Sequence, residues 1–264
     1  MKKNKQIISI ILSVFILNVF VIMPAAYAAS TIENMLETYD AKGKIQNFLY
    51  DAGRNFLYNF SNSLKSNKPA SGNLQQNLKG KRIVIDPGHG GHNPGAVRGD
   101  LQEADNNLAV ALKLKDILKK QGAEVIMTRE TDVSLVSANS ALREELQARV
   151  DITNRSNADI FVSIHTNSSE DTNVNGAMTF YYNDTSKRLA NDVQAGMIDS
   201  IKASDKGTAF GNYLVLRNNS VPAILVEMGF ISNKAEALKL NEDGYRNKIA
   251  QGLASGISNY FNGV

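Results

Sequence analysis

Apolar and polar positions divide the chain into three parts. From Ile7 to Met23 apolar residues run almost without a break. From Thr31 to Leu64 they recur at helical spacing: Ile32, Met35, Leu36 and Tyr39, then Ile45, Leu49, Phe56 and Phe60. From Lys81 onward, short β-branched runs alternate with longer three-four patterns. The short runs read as buried strands and the longer patterns as amphipathic helices. Strands are expected over 82–86, Ala123–Arg129, Ile160–His165, Gly176–Tyr182, Tyr213–Arg217 and Ala223–Glu227. Helices are expected over Leu101–Leu118, Ser137–Asn157, Ser186–Lys202, 234–240 and 243–261. Strand–helix alternation of this kind predicts an α/β fold: a twisted, mostly parallel sheet with helices on both faces, in one catalytic domain.

The 264 residues then sort into an expected signal peptide at 1–28, a helical extension and linker at 29–80, and the catalytic domain at 81–264. Lys2, Lys3 and Lys5 precede the apolar run, and Ala26-Tyr27-Ala28 follows it as a small-x-small cleavage signal. Retention of the run as a membrane anchor is the competing reading, and Asn18 interrupts it. The helical stripe at 31–64 either packs on the main domain or docks an accessory protein or a membrane surface. Residues 66–80, rich in Ser, Asn, Gly and Lys, read as a linker.

Export changes the charge picture. The net charge of +3 equals the three lysines of 1–28, a segment without an acidic residue. The remaining chain is neutral, which argues against a nucleic-acid partner. Without cysteine there is no disulfide, no thiolate site and no lipidated anchor. A metal would have to be held by His and carboxylate.

The chain has three histidines: His89, His92 and His165. Arg82 to Asp86 runs into Pro87-Gly88-His89-Gly90-Gly91, so His89 is expected in a tight turn at a strand end. Ile160 to Ile164 closes on His165, and Ala223 to Val226 closes on Glu227. Strand ends are where α/β sheets build sites. Neutral imidazole suits zinc, and a catalytic zinc takes three protein ligands. Glu103 and Asp105, both opening the first helix, are candidates for the third. A carboxyl after a buried strand, such as Glu227, is either an ion-pair partner or a proton shuttle. Asn167 either touches substrate or caps a loop.

The motifs Val84-Ile85-Asp86-Pro87-Gly88-His89-Gly90-Gly91, Glu103, Ser163-Ile164-His165-Thr166-Asn167 and Val226-Glu227-Met228-Gly229-Phe230-Ile231-Ser232-Asn233 resemble the zinc-dependent N-acetylmuramoyl-L-alanine amidases of the amidase-3 type. Thr128-Arg129, Leu146, Arg149 and Asn154 add smaller matches. The resemblance covers about residues 81–261. It implies one Zn2+ per chain on His89, Glu103 and His165, and Glu227 as catalytic acid/base. It settles Glu103 over Asp105, and it leaves His92 as a loop residue. The implied reaction is hydrolysis of the amide between muramic acid and L-alanine in peptidoglycan. A single domain behind a signal peptide and an N-terminal extension, without cell-wall-binding repeats, looks like the germination-specific spore-cortex amidases. Those form muramic-δ-lactam together with a peptidoglycan deacetylase, in the cell wall or spore cortex. Val133 to Leu142 looks like an insertion. The alternatives are a non-catalytic peptidoglycan-binding module on this fold, or a zinc carboxypeptidase or deacetylase of the same polymer.

Overall fold

The computed structural model describes residues 78–263. The expected signal peptide and helical stripe lie outside them. No helix among the described residues is long and apolar enough to cross a membrane.

The first element of the described residues is β1 (Arg82–Pro87), followed by a small hairpin, β2 (Val97–Arg98) and β3 (Leu101–Gln102). Then come α1 (Glu103–Lys120), β4 (Glu124–Met127), α2 (Leu142–Arg155), β5 (Ile160–Asn167) and β6 (Ala177–Tyr181). The rest is α3 (Asp184–Ile201), β7 (Asp205–Phe210), α4 (Leu214–Arg217), β8 (Ala223–Phe230), α5 (Lys234–Leu240) and α6 (Asp243–Asn262). Six strands form one sheet in the order β4-β1-β5-β8-β6-β7. All neighbours are parallel except β6, which runs antiparallel to β8. The expected mostly parallel sheet with helices on both faces is what the structure has.

Side chains alternate across the sheet. Ile83, Ile85, Ile160, Val162, Ile164, Ile224 and Val226 point to one face and pack with α1, α3 and α6. Val84, Phe161, Ala223 and Leu225 point to the other, under α2 and α4. On the first face α3 and α6 approach to backbone contact. A Cβ added at Gly256 would lie 2.4 Å from backbone atoms of α3. The helices start and stop where local chemistry allows. Asn183 accepts the Ser186 N–H ahead of α3, and Asn233 accepts those of Ala235 and Glu236 ahead of α5. Gly122, at φ +94°, turns the chain away after α1.

Four expectations change. Tyr213–Arg217 is not a strand but a single helical turn, α4, because Val215 and Leu216 both bury toward the same sheet face. The outer strand β7 was not foreseen: it is polar, contains Gly207 and forms the sheet edge. The helix expected from Ser137 begins at Leu142. Finally, β5 and β8 run past His165 and Glu227, to Asn167 and Phe230, so neither residue ends its strand.

Candidate active site

The register of the three central parallel strands assembles the site. Asp86 lies opposite Ser163, and His165 lies opposite Glu227. Strand neighbours in register share a face, so both His165 and Glu227 stand on the α2/α4 side of the sheet. Just past β1 is Gly88. A Cβ there would lie 2.2 Å from the His165 ring, so only glycine lets that imidazole cross the end of β1. His89 follows with φ +62°, a left-handed conformation rare for a residue with a Cβ, and so turns its ring back toward His165. The two rings meet edge to face, with centroids 5.0 Å apart.

Glu103 completes the group from the first turn of α1. Its Oε1 lies 3.2 Å from His89 Nε2 and 2.9 Å from His165 Nδ1. It also accepts the Thr166 N–H at 3.2 Å, while Oε2 accepts that of Ala96 at 3.0 Å. The donor atoms of the three residues all lie within 4.8 Å of one another, and among the described residues they are the group that could hold a metal ion. Asp105, the other candidate, is exposed on α1.

Electrostatics bind the trio. Burial pushes the Glu103 carboxyl up, but its contacts with His165 and His89 outweigh that and hold it well below the usual carboxylate range. Burial pushes His89 down, and Glu103 and Asn93 more than reverse this. Tetrahedral zinc, with bonds of about 2.0–2.2 Å, places neighbouring donors about 3.4 Å apart. Two imidazoles and a carboxylate at these separations fit zinc.

A cavity of about 170 Å³ opens beside the trio, lined by His89, His165, Glu227, Tyr213, Leu142 and Arg149 among others. Glu227 Oε2 is buried there without a hydrogen-bond partner. Burial pushes its carboxyl well above the usual range, and the charge of Glu103 adds to the effect. A cation held by the trio would act in the opposite direction. A buried carboxyl with a raised pKa in a cavity beside a candidate metal centre is a candidate for proton transfer.

Residues 83–259 match the family described as N-acetylmuramoyl-L-alanine amidase. The chain belongs to this amidase family. It is 37% identical over 214 residues to the germination-specific N-acetylmuramoyl-L-alanine amidase of Bacillus subtilis, spanning 78% of this chain and 88% of that one. Among solved structures it is similar to the CwlD amidase from Clostridioides difficile in complex with the GerS lipoprotein. That likeness has a TM-score of 0.66 and 36% identity and covers 70% of this chain and all of the other. It is also similar to the catalytic domain of the CwlV amidase from Bacillus (Paenibacillus) polymyxa, with a TM-score of 0.64 and 37% identity, covering 69% of this chain and 98% of that one.

Sequence reasoning missed part of what supports the amidase site. Asn93 Oδ1 accepts the Gly95 N–H at 3.1 Å, so the atom facing His89 Nδ1, also at 3.1 Å, is oxygen. Nδ1 must therefore carry the proton, which leaves the Nε2 lone pair for the trio. The signal was present in an Asn four residues past His89. The two arginines noted only as family matches are a clamp. Arg129 donates to the carbonyls of Pro87 and Gly88, each at 3.0 Å, and to that of Ala104. Arg149 donates to those of Pro87 and His89 and pairs with Asp86 at 2.6 Å and Glu145 at 2.9 Å. Burial raises the Asp86 carboxyl, but Arg149 and the hydroxyls of Thr128 and Ser163 bring it below its ordinary value.

The segment expected as an insertion, Val133–Leu142, lies partly on the His89 loop. Ser134 Oγ donates to the Gly90 carbonyl, and Asp132, just before it, accepts the Gly91 N–H. His92 contacts Ser134 and sits 3.9 Å from Glu145, apart from the trio. Asn167 is two residues past His165. Its Oδ1 accepts the Ser168 N–H, and it does not line the cavity.

Proposed function

We propose that His89, Glu103 and His165 hold one zinc ion, and that Glu227 carries the proton through hydrolysis of the amide between muramic acid and L-alanine. Membership of the amidase family supplies the activity. The observation that supports the residue roles is that Glu227, whose Oε2 is buried without a partner, lines the same cavity as His89 and His165 of the convergent trio. Zinc bound there supplies a Lewis acid that acidifies water and polarises the scissile carbonyl.

The protein's own residues do the rest. Asn93 keeps His89 in the tautomer that presents Nε2. The clamp of Arg129 and Arg149 fixes the loop that carries His89. Glu227, its carboxyl destabilised as an anion by burial, accepts a proton from the attacking water and returns it to the leaving L-alanine amine. Leu142, Leu146, Leu214 and Leu225 keep the cavity wall apolar and limit water around the reacting groups.

The likeness to a germination-specific amidase supports a role on spore-cortex peptidoglycan. The finer role proposed for this chain is to remove the peptide ahead of muramic-δ-lactam formation by a deacetylase. The complex of the CwlD amidase with the GerS lipoprotein supports an accessory protein for this chain too. Cell-wall work calls for export, for which Lys2 to Ala28 is the candidate signal.

The test is mass spectrometry of peptidoglycan incubated with the zinc-loaded protein. Release of intact stem peptides with a free L-alanine amine is the expected result. Peptides shortened from their C-terminus would make it a carboxypeptidase, and loss of acetyl groups a deacetylase. Binding without any product would leave the non-catalytic module.

A further inference from the structure

We propose that Tyr213, with Phe180, Tyr182 and Phe210 behind it, forms an aromatic subsite for the N-acetylated sugar rings of the glycan strand beside the scissile amide. The subsite rests on the amidase function proposed above. Tyr213 lines the cavity that holds His89, His165 and Glu227. It is 41% exposed, yet its ring is fixed. It stands edge-on to Phe180, centroids 5.2 Å and planes 69° apart. It also folds over Gly211, where an added Cβ would lie 2.6 Å from the ring. A side chain braced on two sides and bare on the third is built to be covered by something that arrives.

The band continues away from the cleavage point. Phe180 lies opposite Leu225, two residues before Glu227, and Met178 lies opposite Glu227 itself. Two residues beyond Phe180, Tyr182 packs against Phe210, centroids 5.5 Å apart and planes 35° apart. Phe210 is 62% exposed. At about 3.3 Å per strand residue, the Tyr182–Phe210 pair lies roughly 13 Å along β6 from the Glu227 row.

The chemistry selects the occupant. The bond cut by this family joins a muramic acid to a peptide, so a pyranose ring must reach the cavity. Such a ring presents an apolar face of C–H groups and a polar edge, which suits an aromatic face rimmed by water. A stem peptide brings carboxylates, but the four aromatic residues carry no charge. The cavity itself holds Glu145 and Glu227, and its one guanidinium, Arg149, is already paired with Asp86 and Glu145.

The test compares zinc-loaded full-length variants on soluble peptide-bearing glycan strands and on a muramoyl dipeptide with a single sugar ring. Zinc content and thermal unfolding check each variant. Tyr213→Ala should raise KM on both substrates by about five- to ten-fold, as expected for removal of one well-placed ring. Phe210→Ala should raise KM on the strands only. Tyr213→Phe keeps the ring and should raise KM much less than Tyr213→Ala does, while Leu238→Ala, an exposed apolar residue on α5 outside the cavity, should behave as the parent does. Unchanged KM in both alanine variants would overturn the subsite. So would weaker inhibition by free stem peptide together with unaltered inhibition by peptide-free glycan oligosaccharide. An inactive parent would break the amidase reading instead. Saturation-transfer NMR with the peptide-free oligosaccharide then still decides. A sugar-proton signal that the parent gives and Tyr213→Ala does not supports the subsite, and no signal in the parent refutes it.

Discussion

The two faces of the sheet are made by the same strands and do opposite work. On one, Ile83, Ile85, Val162, Ile164, Ile224 and Val226 are fully buried against α1, α3 and α6. On the other, one residue out of step, stand Asp86, Ser163, His165, Leu225 and Glu227. The dry face holds the strands in register, and the register aims the chemistry. A slip of one residue would exchange the faces completely. Site and core are thus interleaved at single-residue spacing.

The sharpest way to separate the faces is Glu227→Gln. It should lower kcat by about 10²–10⁴, the range for loss of a general acid–base group, with zinc content and thermal midpoint retained. Activity near that of the parent would remove Glu227 from the mechanism. Breaking the loop support comes next. Arg149→Met leaves Asp86 and Glu145 buried without their cation and should cost about 3–5 kcal/mol in denaturant unfolding. On the dry face, Ile224→Ala should cost about 2–5 kcal/mol, while kcat of the folded fraction stays unchanged.

Asn93→Leu should weaken zinc binding by about 10–100-fold, measured by competition with a chromophoric chelator. Asn93→Asp keeps the acceptor and should restore most of it. The smallest effect concerns pH. The Asp86 carboxyl lies below its ordinary 3.8 when folded, so its contribution to stability is whole above that value and declines as the pH falls further. Acid titration of Asp86→Asn by circular dichroism should lack that component.

Much of this was legible because strands and candidate site residues share short, strongly patterned segments. The β-branched runs around Val84, Val162 and Val226 mark the sheet, and each leads within a few residues to His89, His165 or Glu227. The choice between Glu103 and Asp105 was not legible from spacing, since both open α1. The family resemblance chose Glu103, and the fold brings its Oε1 to His89 and His165 while Asp105 stays exposed. Four apolar or aromatic residues from Tyr213 to Leu216 fit a strand or a helical turn equally well. Burial of both Val215 and Leu216 against one sheet face decides between them, and β7, just before them in the chain, is hidden as an edge by its Asp205-Lys206-Gly207-Thr208 run. Asn93 is visible in the sequence four residues past His89, but its hold on the ring follows only from the fold, where the same Oδ1 accepts the Gly95 N–H and faces His89 Nδ1.

The reversed direction of β6 has a consequence for how this protein can change. Because β6 starts beside Glu227, the chain leaving β5 at Asn167 returns to the sheet at Ala177 without crossing to the far end. Residues 168–176 are therefore a short bridge over one rim, tied down by Ser232 to Ser169, Asn233 to Thr172 and Glu236 to Gly176. A crossover helix has a length set by the sheet it spans, whereas this bridge has none to respect. New sequence spliced into it would extend from the rim where β5 and β8 carry His165 and Glu227 and would leave every strand pairing intact.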